Sequence, residues 1–214
     1  NKSGILISLT VLSATFTWNN LMSSEQPQLA TIPLIVALIA GLVCSLVIVF
    51  KPTLAPVLSP VYAILEGGIL GALTLVMEAV YPGIALQAVT GTFGVFALML
   101  ITYRTGLIKV TEKFRSILSL AIGGVFFIYL ASWITSLFGF SLPYLHSGGP
   151  IGIGFSLIVC GIAAFSLLMD FDLIEKGSQQ QAPRYMEWYA AFSLLVTLVW
   201  LYIEVLRLLG KSRR

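Results

Sequence analysis

Long apolar runs closed by short polar breaks recur seven times along this chain, over residues 4–22, 31–50, 58–80, 83–103, 115–138, 149–170 and 186–209. A helix needs about 20 predominantly apolar residues to cross a bilayer, and each run has roughly that length. The breaks carry turn chemistry: Ser23-Ser24-Glu25-Gln26-Pro27, Lys51-Pro52, Tyr81-Pro82-Gly83 and Ser147-Gly148-Gly149-Pro150. Residues 172–184 (DLIEKGSQQQAPR) form the longest polar stretch and read as a water-exposed loop. The pattern predicts an all-α membrane protein, a seven-transmembrane-helix bundle built as one integral domain over residues 1–214.

Composition strengthens that reading. The chain is 58% hydrophobic and only 10% charged, against about 25% charged in soluble domains. Lys51, then Arg104, Lys109, Lys113 and Arg115, then Lys176 and Arg184 fall in alternate breaks. The excess of Lys and Arg on one side of a membrane marks its cytoplasmic face, so the N-terminus is expected inside. Seven crossings then put the basic tail Lys211-Ser212-Arg213-Arg214 outside, against the rule. The net charge of +3 thus speaks to orientation, and no nucleic-acid partner is expected. The sequence opens on Asn1 rather than Met, which suggests that an N-terminal portion precedes it.

Few groups are left to carry chemistry. Cys44 and Cys160 lie within apolar runs without metal-like spacing, and the single His146 excludes a multi-histidine metal site. HExxH, Walker and GxSxG motifs are absent, and the adjacent His146-Ser147 in a Gly-Pro turn lack nucleophile–base geometry. An aspartyl intramembrane protease would need two facing acids; Asp170 with Glu66 is conceivable, but the flanking motifs of that class are missing. No enzyme activity and no cofactor are expected. Gly67 and Gly71 form a GxxxG that favours close helix packing within the chain over a dimer interface.

Glu66, Asp170 and Glu204 interrupt apolar runs. A charge at mid-bilayer costs at least roughly 2.5–3.5 kcal/mol, so such acids face an interior or a water-filled path. Glu66 lies about 12 Å into its span, with Gly67 and Gly68 leaving room beside it. It reads either as a pore-lining cation or proton site or as a neutral acid locking two helices. Arg207 follows Glu204 by three residues, which suggests an intrahelical pair near the membrane boundary. Asp170 and Asp172 point to nearly opposite helix faces, one toward the bundle and one toward water. Asp170 and Glu204, on antiparallel neighbours, would lie most of a bilayer apart. Scattered acids do not build the 6–8-oxygen cage calcium prefers, so calcium would be held weakly.

The stretches LEGGILGA, YPGIALQAVTGTFGVFALML, HSGGPIGIGFSLIVCGIAAFSLLMDFD, MDFDLIEKG and WYAAFSLLVTLVWLYIEVLRLLG resemble the Bax inhibitor (transmembrane Bax-inhibitor-motif) family, in its bacterial branch. The resemblance covers nearly the whole chain. It implies a seventh helix ringed by six others, an inner-membrane location, and a pH-sensitive leak for calcium or other cations. It further implies two aspartates that share a proton. Asp170 matches the first and is therefore the acid expected to face inward, leaving Asp172 to water. Thr197 stands at the position of the second, so the usual dyad cannot form. The basic residue that the family pairs with its sixth-helix aspartate has Lys51 as its nearest counterpart. A different role is also open: a non-transporting accessory subunit bound to a larger membrane complex, such as a membrane protease. In both roles the lipid bilayer is a constant partner.

Overall fold

The computed structural model describes residues 2–24, 31–138 and 149–213. His146 and its turn, the polar break at 25–27 and Arg214 lie outside the described residues. Seven helices are long and apolar enough to cross a membrane, and no strand occurs among the described residues. They are α1 (Lys2–Ser23), α2 (Thr31–Phe50), α3 (Ala55–Val80), α4 (Ile84–Arg104), α5 (Glu112–Leu137), α6 (Pro150–Gln179) and α7 (Arg184–Ser212). Ile32, Val36, Leu38, Ile39 and Leu42 along α2 are all more than half exposed. Lipid tails are as apolar as these side chains, so such surfaces need no protein cover. The chain is an integral membrane protein.

Sequence punctuation sets most helix ends. Lys51 leaves the helical region (φ −132°, ψ 76°) because a residue before proline avoids it, and Pro52–Leu54 then form a short 3-10 turn into α3. Gly83 adopts φ 82° to open α4, after the Tyr81-Pro82 turn. Thr111 caps α5 by accepting from the Phe114 N–H at 3.2 Å.

The end of α6 corrects the sequence reading. The predicted exposed loop from residue 172 is helical to Gln179, and only residues 180–183 break the backbone. Glu175 accepts from Gln179 one turn on at 3.1 Å, supporting the added turns. Gln181 then takes φ 49°; its N–H bonds the Ser178 carbonyl, and the Ala182 N–H bonds the Gly177 carbonyl. This is a Schellman end, and Pro183 prevents the helix from resuming.

The chain divides into two compact units, residues 1–82 with 173–196, and residues 83–172 with 197–214. In the first, the GxxxG of α3 receives α1. A methyl group at Gly67 would strike the Thr10 carbonyl oxygen, and one at Gly71 the Ala14 carbonyl oxygen. Both contacts advance by four residues on each helix, so α1 and α3 run parallel. Ser13 Oγ donates to the Ile64 carbonyl at 2.6 Å across this seam. Tyr62 of α3 meets Phe192 of α7 edge to face, with centroids 5.0 Å apart.

In the second unit, α6 packs between aromatic neighbours: Phe171 against Phe96 and Tyr103 of α4, and Phe165 and Phe155 against Phe114 and Tyr129 of α5. Gly91 of α4 admits Val205 of α7. Buried threonines in both units bond back along their own helices, as Thr10 does to Leu6, Thr74 to Leu70 and Thr92 to Ala88. With no water at that depth, these bonds satisfy donors that would otherwise be stranded.

Two stability predictions follow from this packing. Gly67→Ala should lower stability in detergent or lipid by about 1–3 kcal/mol through overpacking against backbone, whereas Gly94→Ala, which meets open space, should be neutral or mildly stabilising. Gln181→Val should destabilise by roughly 1–2 kcal/mol, since a β-branched residue resists the left-handed backbone. Thermal unfolding of the three variants beside the parent checks both.

Candidate functional site

The second unit holds a concentration of buried ionisable groups. Asp170 and Asp172 are 5% and 8% exposed, Glu204 is 1% exposed, and Lys211 is 6% exposed. Asp172 and Lys211 are brought to their partners by helix packing, and Glu204 has one partner from another helix and one from its own. Arg115, in the first turn of α5, places its guanidinium on the Asp172 carboxylate, with about a third of the arginine side chain still exposed. Lys211, near the end of α7, donates to the Gly152 carbonyl at 3.1 Å and to Ser156 Oγ at 2.9 Å in the first turns of α6.

The lysine contact fixes the antiparallel register of α6 and α7. Thr197 lies as many residues back from Lys211 as Asp170 lies beyond Ser156. The two therefore stand at one level, about 21 Å along the helices from the lysine. Both are buried. An acid and a hydroxyl thus occupy this level of the unit, where two acids would make a proton-sharing dyad.

Glu204 lies two turns further along α7, beyond reach of Asp170, and has its own partners. Its Oε1 accepts from Tyr129 Oη of α5 at 3.0 Å and from Arg207 Nη1 at 3.0 Å. The same Nη1 donates to Tyr129 Oη, and the guanidinium lies 4.8 Å from the Tyr129 ring centroid. The Glu204–Arg207 pair expected from the sequence is present, but its setting differs. Glu204 is fully enclosed within the second unit.

The Asp170 and Asp172 expectation is also corrected. Both acids are buried, because packing surrounds α6 at this level: Phe171 meets α4 while Arg115 of α5 reaches Asp172. Asp172 carries the ion pair rather than facing water. Lys51 is exposed at the end of α2 in the first unit and forms no ion pair among the described residues.

Glu66, in the first unit, is half-buried on α3. Its Oε2 faces Gly41 of α2, 3.7 Å from where a Cβ would stand there. Tyr62 lies one turn earlier on the same helix, within electrostatic range. The glycine opposite leaves the carboxylate space that any larger side chain would fill. No group of three or more His, Cys, Asp or Glu residues able to hold a metal occurs among the described residues.

Arg115, Tyr129 and Ser156 were not singled out by the sequence as site residues. Arg115 reads there as one of several loop charges, and Tyr129 and Ser156 as ordinary members of apolar runs. Their partners lie 57, 75 and 55 residues away, and no local spacing signals such contacts. Glu78, half-buried near the end of α3, is a further intramembrane acid outside the three first noted.

Replacing Tyr129 with Phe removes one of the two donors to Glu204 Oε1. It should cost about 1.5–3 kcal/mol, the range for hydrogen bonds to charged groups. A double-mutant cycle with Glu204→Gln should give a coupling of roughly 0.5–3 kcal/mol; additivity would show that the contact contributes nothing.

A family model described as Bax inhibitor 1 like matches residues 1–214, the whole chain. No curated protein matches the chain, and no solved structure does.

Proposed function

The chain belongs to the Bax inhibitor 1 like family, and from that premise we propose that it is a pH-sensitive leak for calcium or other cations in a bacterial inner membrane. One observation carries the reading: Asp170 and Asp172 are buried inside a membrane-length helix, and the Arg115 guanidinium is set on Asp172. Intramembrane acids are costly and are kept where ions or protons pass.

Protonation supplies the gate. A charged Asp172 attracts Arg115, and a proton on Asp172 removes that attraction. The arginine, partly exposed already, then leaves more readily than the buried acid. Because protonation grows as pH falls, the latch between α5 and α6 loosens toward acid. Asp170, at the level of Thr197, contributes a second buried carboxylate to the same helix. Glu66 opposite Gly41 serves as a cation contact in the first unit. Binding at single carboxylates is weak, which suits conduction, since an ion must leave as readily as it enters.

Flux into proteoliposomes loaded with a calcium dye tests this. Wild-type flux should rise as pH falls. Asp172→Asn, a permanently uncharged latch, should abolish the pH dependence, and Asp170→Asn and Glu66→Gln should each lower flux. Absence of flux at every pH would sink the leak reading. Co-purification of one stoichiometric membrane complex would then favour the accessory role, to which the Thr197 departure from the family's acid pair lends weight.

A further inference from the structure

The Glu204 cluster plays no part in that gate, and its geometry is lopsided. Oε1 receives both Tyr129 and Arg207, while Oε2 is buried with no hydrogen-bond partner among the described residues. The ion pair is equally uneven: the Glu204 side chain is 1% exposed and that of Arg207 is 37% exposed. The titratable and charged groups facing the carboxylate are Tyr129 from α5, the Cys160 thiol from α6 and Arg207 from its own helix. From α4, Gly91 meets the neighbouring Val205. Two turns on, Lys211 is held to Gly152 and Ser156.

These facts constrain what happens when the pair opens. Arg207 already touches the outside and can complete its solvation there, in water or among headgroups, because long basic side chains reach toward polar surroundings. Glu204 cannot follow. An unpaired carboxylate left in an apolar interior is so costly that the group neutralises instead. Tyr129 still donates to Oε1 and holds the carboxyl in place.

We infer that Glu204 is an exchangeable proton-binding site: Arg207 leaves Oε1 and a proton taken up from solvent binds the unpartnered Oε2. The closed form, one carboxylate and one guanidinium, is neutral; the open form, a neutral acid with the guanidinium in the polar boundary, carries the single positive charge of the proton taken up from solvent. Tyr129 is the positioning residue that keeps Oε1 fixed while Oε2 gains its proton. The site operates whether or not ions cross the protein, so it stands apart from the leak reading and can fail independently of it.

Labelling by dicyclohexylcarbodiimide tests it, because this apolar reagent attacks protonated carboxyls and leaves a stable acylurea. With the full chain in lipid nanodiscs, mass spectrometry should find an adduct on Glu204. Its yield should fall about tenfold per pH unit above the titration midpoint. In Arg207→Gln the same adduct should persist to higher pH, because the charged form has lost its partner. Infrared spectra should show a carboxylic C=O band that grows toward acid in the parent and in Tyr129→Phe but not in Glu204→Gln. An adduct yield independent of pH, or the absence of both adduct and band, would overturn the assignment.

Discussion

Lipid offers no hydrogen bonds, and this constraint governs nearly every polar side chain in the structure. In water a stranded hydroxyl or ammonium is solvated at once; within the hydrocarbon region the chain itself must supply the partner. Threonines and serines meet the demand locally, by bonding to the carbonyl one turn back. Ionised groups draw on other helices as well, with Glu204 and Arg207 the pair formed within one helix. Lys211 therefore reaches α6, Asp172 draws Arg115 from α5, and Glu204 takes Tyr129 from α5. The same contacts that settle these charges also fix helix register, so electrostatics and packing act as one constraint in the second unit. Buried ion pairs of this kind are weak evidence for stability, because desolvation offsets their attraction. What they secure here is alignment.

The seven spans were legible from length and hydropathy, since a bilayer imposes a minimum apolar run that folding cannot hide. Lys51-Pro52 and Tyr81-Pro82-Gly83 stopped helices where proline and glycine chemistry says they should. Polarity alone predicts a loop at the end of α6, yet the helix continues to Gln179. Glu175, Lys176 and Gln179 are good helix formers once outside lipid, and the true stop is a Gln181 in left-handed geometry that composition does not reveal. Gly67 and Gly71 announced close packing, and α1 is the helix that fills it. The acids were found by sequence, whereas their partners were not: a tyrosine in VFFIYLAS carries no mark that it will donate to a glutamate in another helix.

Thr197 gives the Asp170 level a character of its own. A threonine hydroxyl both donates and accepts, and it cannot hold a second negative charge. Two acids at one level repel when ionised and so share a proton near neutrality. One acid beside a hydroxyl lacks that repulsion. Asp170 and Thr197 thus meet this level as one acid and one hydroxyl. The acids of the second unit are instead divided into separate sites, with an arginine on Asp172 and another on Glu204. Both arginines are partly exposed and both acids are buried.

The parallel seam between α1 and α3 has a consequence for how the molecule is made. Parallel neighbours cannot be joined by a tight turn; the chain must first return through α2. During synthesis from the N-terminus, α1 therefore enters the bilayer well before its docking surface exists. Its seam face, with Thr10, Ser13 and Ala14, contains small and hydroxyl-bearing residues rather than large apolar ones, so it waits in lipid as a shallow groove. Only when Gly67 and Gly71 emerge does that face close. Closure of the α1–α3 seam is thus timed by the arrival of α3, and the glycines that permit its tightest contact are also the last pieces that contact requires.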